Sequence, residues 1–170
     1  PKFCSFTGWY ALWKNNIIQS EYVHLFEYDI TVSDNFNEVI LALIKDKYEF
    51  IGYVPLPIHF GFMNPPKYLS NLLVAIEKHY NVYVNQEMYH MLKKGSQAEW
   101  SSTSNSTFYS KTFQEYMIWF EQLIDALKDD VLSGHAHERS ITFFYTIFNK
   151  KIFLIKKLIN HLMCNSHETK

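Results

Sequence analysis

The sequence predicts an α/β fold, a partial parallel or mixed sheet flanked by helices, with a helix-rich C-terminal half. Two β-prone apolar runs, at Tyr22–Phe26 and Tyr48–Val54, bracket an amphipathic helical pattern over Asn35–Lys47. That β-α-β order over about thirty residues is the length of one crossover unit. Beyond Pro66 the apolar residues recur mainly at helical spacing. With 170 residues, the chain is expected to form one domain over 1–164 and a polar tail over 165–170.

Composition narrows the function classes. Aromatic residues make up 18% of the chain against only 5 Gly and 5 Pro, which suits a packed core or an aromatic-lined cleft and argues against disorder. A net charge of -1 gives no reason to expect nucleic acid or an anionic membrane as partner. Cys4 and Cys164 lie at opposite ends with no metal spacing around them. The expectation is two reduced thiols in a cytoplasmic protein rather than one end-to-end disulfide. No apolar run approaches the ~18 residues of a membrane span, and no signal peptide is seen. The chain opens at Pro1-Lys2-Phe3 with no glycine-rich phosphate loop, so it reads as compact and unusual or as the later part of a longer chain.

Ser5–Asn16 is predicted helical, capped by Ser5 or Thr7, with Trp9, Leu12 and Trp13 on one face. Lys14 and Asn15 at its end either finish a core helix or meet a polar ligand. The strand at Tyr22–Phe26 runs into Glu27 and Asp29, and ligands of α/β proteins gather where loops leave the carboxyl ends of strands. Asn35 or Asp34 caps the helix to Lys47, with Glu38 in capping-box position and Phe36, Val39, Ile40, Leu43 and Ile44 inward. The second strand, Tyr48–Val54, stops at Pro55-Leu56-Pro57, which cannot continue a central ladder.

Ile58–Pro66 reads as a loop, Pro66–Tyr80 as a helix and Tyr83–Lys94 as a short helix ended by Gly95. Ser101–Thr107 is rich in hydroxyls and includes Ser104 and Asn105. It is either a connecting loop or a sugar-binding lip between aromatic residues. Lys111–Leu127 is the strongest helical pattern, and Asp129-Asp130 beyond it reads as surface. Ser133 or Gly134 starts a helix whose apolar side is Ile141, Phe144, Tyr145 and Phe148, with His135, His137, Glu138 and Arg139 crowded at its start. At a helix N-terminus the cations call for anionic partners, such as a phosphate-bearing substrate. A zinc protease motif does not fit, because an apolar residue stands where its second His would be. Lys150–Cys164 reads as a final amphipathic helix with Lys150, Lys151, Lys156 and Lys157 on a basic face. That face is either solvated or a peripheral membrane contact.

Three stretches together resemble a known family: Thr7–Asn15 (Thr-Gly-Trp-Tyr-Ala-Leu-Trp-Lys-Asn), the strand ending in Glu27-Tyr28-Asp29, and Gly134–Arg139 (Gly-His-Ala-His-Glu-Arg). Ser104-Asn105, ahead of a helix bearing Trp119, adds to them. Over most of residues 3–148 the chain resembles the later part of GT-A-type glycosyltransferases, nearest those of bacterial capsule and cell-surface polysaccharide synthesis, with the N-terminal nucleotide-binding unit not visible.

The resemblance implies a Rossmann-like GT-A sheet and transfer of a sugar from a UDP- or GDP-sugar to a hydroxyl of a glycan acceptor. It further implies a divalent metal, Mn²⁺ or Mg²⁺, held by Glu27 and Asp29 against the donor diphosphate. Glu138 would be the general base, with His137 beside it in the catalytic set. His135 and Arg139 would contact phosphate, and Lys14, Asn15, Ser104 and Asn105 would complete the donor site. Two other classes fit the residues: a non-catalytic α/β module binding carbohydrate or protein, and a metal-dependent hydrolase using Glu27, Asp29, His135 and His137.

Overall fold

The computed structural model describes residues 5–58, 67–81, 99–127 and 133–161. The expected loop over 59–66, the helix over 83–94, Asp129-Asp130, Cys4, Cys164 and the tail lie outside them. Helices α1 (Ser5–Lys14), α2 (Phe36–Lys45), α3 (Lys67–Tyr80) and α6 (Ser133–Ile147) match the helical patterns at 5–16, 35–47, 66–80 and 133–148, while the single helix expected over 111–127 is broken by a turn at Gln122-Leu123 into α4 (Ser110–Glu121) and α5 (Ile124–Leu127). The strands are β1 (Tyr22–Leu25), β2 (Ile30–Val32), β3 (Phe50–Gly52), β4 (Pro55–Pro57), β5 (Glu99–Ser101), β6 (Ser106–Tyr109), β7 (Ile152–Leu154) and β8 (Ile159–His161).

A four-stranded mixed sheet has the order β1-β6-β3-β7. β6 runs antiparallel to both β1 and β3, so those two are parallel to each other without being neighbours. The crossover through α2 therefore skips one strand, and the directly parallel pair is β3–β7. Two-stranded ribbons, β2–β8 and β4–β5, flank the sheet. Both prolines of β4 sit in such a ribbon, where a missing N–H is tolerated.

The sheet separates two cores. On one face Phe50 and Phe108 join Trp9 of α1, Leu72 and Ile76 of α3, Phe113, Tyr116 and Phe120 of α4, and Ile141 and Phe144 of α6. On the other, Ile51 and Tyr53 meet Phe36, Ile40 and Leu43 of α2 with Leu158 and Ile159. Adjacent strand residues fall on opposite faces, as a period of two requires. Three helices end alike. Asn16, Lys47 and Asn149 take positive φ, and the next amide bonds back to Leu12, Leu43 and Tyr145. That is the Schellman arrangement, which satisfies the last carbonyls of each helix. α2 is not capped as expected: Asn35 holds the N-cap position, yet it makes no side-chain capping bond, and its Oδ1 accepts the Ser33 hydroxyl at 2.9 Å.

The expected helix over Lys150–Cys164 is not formed. α6 ends at Ile147, Asn149 turns the chain with a positive φ, and β7 and β8 follow. Ile152 and Leu154 pack into the first core while Phe153 and Ile155 pack into the second, a strand's alternation. Glu49 anchors the entry to β7: its Oε2 accepts the Lys151 amide at 2.9 Å and its Oε1 the Lys150 ammonium at 3.2 Å. The basic face expected of that helix is thereby dispersed. Lys150 also pairs with Glu115 at 2.6 Å, Lys156 pairs with Glu99 at 2.7 Å, and Lys151 donates to the Asp46 carbonyl at 2.5 Å. The peripheral membrane contact loses its basis. Among the described residues no helix is long and apolar enough to cross a membrane.

Gly52 marks the tightest approach between sheet and ribbon. A Cβ there would lie 2.6 Å from Ser101 Oγ, 2.8 Å from Ser101 Cβ and 2.8 Å from Leu154 Cδ2. Gly52→Ala is therefore expected to cost about 1–3 kcal/mol in urea unfolding. Adding Ser101→Gly, which removes two of the three clashing atoms, should recover part of that loss.

Candidate active site

The end of β1 is brought to the start of α6 by strand register. β1 pairs with β6 so that Leu25 faces Ser106. Two further residues along an antiparallel register set Glu27 beside the turn that enters β6, and this turn carries Ser104 and Asn105. The turn is fixed from below: Ser102 donates both its amide (3.0 Å) and its hydroxyl (2.7 Å) to the Val54 carbonyl. Ser104 and Asn105 are buried, so the hydroxyl-rich run that could have been a plain loop is packed against the sheet.

Asn105 grips Glu27 twice. Its Oδ1 accepts the Glu27 amide at 2.7 Å, and its Nδ2 donates to Glu27 Oε2 at 2.9 Å. Thr103 Oγ1 accepts from the Asn105 amide at 3.3 Å and from Nδ2 at 3.4 Å. Buried polar groups need such partners, and Asn105 here has both ends of its amide engaged.

Glu138 lies on α6 with only 19% of its side chain exposed. Its Oε2 is 3.4 Å from His135 Nδ1 and 3.9 Å from Arg139 Nη1. Burial pushes its carboxyl above the ordinary range and outweighs the opposing hydrogen bond and charge of His135 and the charge of Arg139; the nearby Glu27 carboxylate adds to the rise. Two acids far apart in sequence are thus within electrostatic reach. Arg139 donates to the His135 carbonyl at 3.1 Å and lays its guanidinium 4.8 Å from the Trp100 ring centre, a cation–π contact. Trp100, on β5, was not among the residues expected at the site. Its place beside the hydroxyl-rich run was the only hint of its role.

The other expected site residues lie apart from this cluster or carry different partners. His137 is fully buried, its ring 4.7 Å from that of Trp9, 4.8 Å from that of Phe6 and 5.4 Å from that of Phe120. Both of its ring nitrogens are buried without a hydrogen-bond partner, and burial lowers its pKa to about 3. It is a neutral core residue, while Glu138, the next residue of α6, stays partly exposed. The signal was present: His137, Ile141 and Phe144 fall at the i, i+4, i+7 spacing of a core stripe.

Lys14 pairs with Glu121 of α4 at 2.6 Å and lies over the Trp13 ring at 4.2 Å. That hydrogen bond to Glu121 raises its pKa. Asn15 donates to the Ala11 carbonyl at 2.8 Å, which closes the end of α1. Asp29 is half-buried in the turn ahead of β2, next to Tyr28, which is 98% exposed. Among the described residues no three His, Cys, Asp or Glu side chains come together as a metal centre, and one oxygen of Glu27 is already taken by Asn105. Glu27 and Asp29 thus have no third acid or histidine gathered beside them among the described residues.

A second polar chain runs beside the site. His24 Nδ1 is 2.6 Å from the buried Thr107 hydroxyl, which also meets the Tyr53 hydroxyl. Burial lowers the His24 pKa and raises that of Tyr53.

No protein-family model and no curated protein matches the sequence. The fold, however, is similar to that of WbbM, a bifunctional glycosyltransferase solved in its apo form, with a TM-score of 0.64 over 95% of this chain at 14% identity. The chain spans 36% of WbbM, about a third of its length. A likeness at that identity shows the fold: a mixed α/β sheet flanked by helices, of glycosyltransferase-like type.

Proposed function

We propose that this chain carries a sugar-transfer site of GT-A type, moving a sugar from a UDP- or GDP-sugar to a hydroxyl of a glycan acceptor in surface polysaccharide or glycoconjugate synthesis. One observation carries the reading. In a glycosyltransferase-like fold, Glu27 at the end of β1 and the part-buried Glu138 of α6 share one electrostatic site, with Arg139 and His135 alongside.

Each group has a chemical task. Glu138, its pKa raised by burial, is a stronger base than an ordinary carboxylate and is suited to take a proton. As the acceptor oxygen bonds to the anomeric carbon, its proton passes to Glu138 and the bond to the diphosphate breaks, with the electron pair leaving on phosphate. Arg139 supplies positive charge where that diphosphate departs, and His135 stands beside it as a hydrogen-bonding group. Glu27 accepts hydrogen bonds from sugar hydroxyls.

The test is a thermal-shift and transfer panel over UDP, GDP and their sugars, with and without Mn²⁺. Stabilisation follows RT ln(1 + [L]/Kd), so millimolar donors register even when binding is weak. Stabilisation by one nucleotide and turnover of its sugar support the reading. Carbohydrate binding with no turnover would make the chain a binding module instead.

A further inference from the structure

We infer that Asn105 is a positioning residue that holds the Glu27 carboxylate in one orientation, as a pure hydrogen-bond acceptor, for a hydroxyl-bearing ligand. The inference rests on the sugar-transfer reading of this site and names the group that sets its geometry.

An Asn side chain has one acceptor end and one donor end, and they cannot both point the same way. Here the main chain decides which is which. The Glu27 amide can only donate, so Oδ1 of Asn105 must face it, at 2.7 Å. The NH₂ end is then forced toward the Glu27 side chain, where it donates to Oε2 at 2.9 Å. Flipping the amide would break both bonds at once. Thr103 Oγ1 supports the same orientation by accepting from Nδ2 at 3.4 Å.

Burial makes the clamp rigid. Asn105 is fully buried in the turn that Ser102 ties to Val54, so it lacks the room to swing aside. Glu27 has left β1 and lies in an irregular segment ahead of a turn, so strand pairing does not fix it. What fixes it is Asn105. The carboxylate is held as an acceptor with lone pairs to spare, and this suits the donating hydroxyls of a sugar. It also stands where its charge is felt by Glu138, among His135 and Arg139. Fixing a reacting or binding group to within an ångström is a large share of enzymatic rate.

The roles can be exchanged chemically, and this gives the test. Asn105→Asp keeps an oxygen for the Glu27 amide but sets carboxylate against carboxylate. Glu27→Gln alone still offers Oε1 of its own amide to Asn105 Nδ2, so it keeps the bond with a neutral acceptor in place of the charged one. The double variant restores one acceptor and one donor with their order reversed.

Melting temperature, the Glu27-position amide resonance in ¹⁵N–¹H spectra, and kcat and KM for sugar transfer are measured on all four proteins. Asn105→Asp should melt lower than the parent, Glu27→Gln should change the melting temperature little, and adding Glu27→Gln to Asn105→Asp should regain most of the loss. Asn105→Asp should lower kcat by on the order of 100-fold with a smaller change in KM, and the double variant should keep a lowered kcat although refolded. A double variant that regains kcat along with melting temperature would show a merely structural pair and overturn the proposal, as would an Asn105→Asp protein with unchanged kcat. If the parent protein transfers no sugar, the proposed function fails. The clamp is then judged by melting temperature and the amide resonance alone: non-additive recovery in the double variant upholds it, and additive losses refute it.

Discussion

Glu138→Gln lowers kcat/KM for sugar transfer by roughly 100- to 10,000-fold, the range spanned by a positioned general base, and makes the protein more stable at pH 7. The two effects have one cause. Burial and the Glu27 charge raise the Glu138 carboxyl above its ordinary value, so the folded state holds that proton more tightly than the unfolded chain does. Stability from this group is full below the unfolded pKa and is lost as pH rises through the folded one. Above the unfolded pKa the buried Glu138 carboxyl is therefore a cost to folding, which the neutral Gln removes while keeping the shape. A site that lowers stability in order to hold a reactive group is a recurrent trade in enzymes. Urea midpoints at pH 7 beside initial rates on the same preparation check both halves.

The second large effect belongs to His137, and its sign is opposite. The folded protein keeps this ring neutral down to about pH 3, whereas the unfolded chain protonates it near 6.5. Between those values the unfolded state binds the extra proton, so stability falls as pH falls, by about 1.4 kcal/mol per pH unit from this residue. His137→Leu removes that slope. The leucine loses ring contacts with Trp9 and Phe6, but it no longer buries two nitrogens without partners. Urea midpoints at pH 6.5 and pH 4.5 should show the parent losing about 2 kcal/mol relative to the variant over that interval. Parallel losses in the two proteins would mean that His137 is not held neutral in the core.

How much was legible in the sequence depends on the range of the signal. α2, α3 and α6 were readable because their apolar residues repeat every three to four positions, and the pattern is local. Residues 150–161 were misread for a physical reason. Ile152, Phe153, Ile155, Leu158 and Ile159 satisfy a helical stripe as well as a two-sided strand, and the choice is made by β3 and Glu49, far away in sequence. β2, β4 and β5 are three residues each, too short to show a period.

The site divides in the same way. Glu27 was visible as an acid after a strand, and Glu138 as part of a dense ionisable cluster at a helix start. That Asn105 ties the first down, and that the first acts on the second, depends on the β1–β6 register and on α6 packing near β5. No local pattern encodes either. His137 was misjudged because its neighbours are charged, although its position on the core stripe outweighs their company.

The pH dependence of kcat/KM in the parent and in Glu27→Gln tests the central claim, a shared site in which Glu138 takes the acceptor proton, most directly. The account predicts an acid limb above the ordinary carboxylate range, because Glu138 must be ionised to act and its pKa is raised by burial and by Glu27. In Glu27→Gln the limb should move to lower pH as that neighbouring charge disappears. A limb that stays in place when Glu27 is neutralised, or a rate that does not fall on the acid side at all, would contradict it.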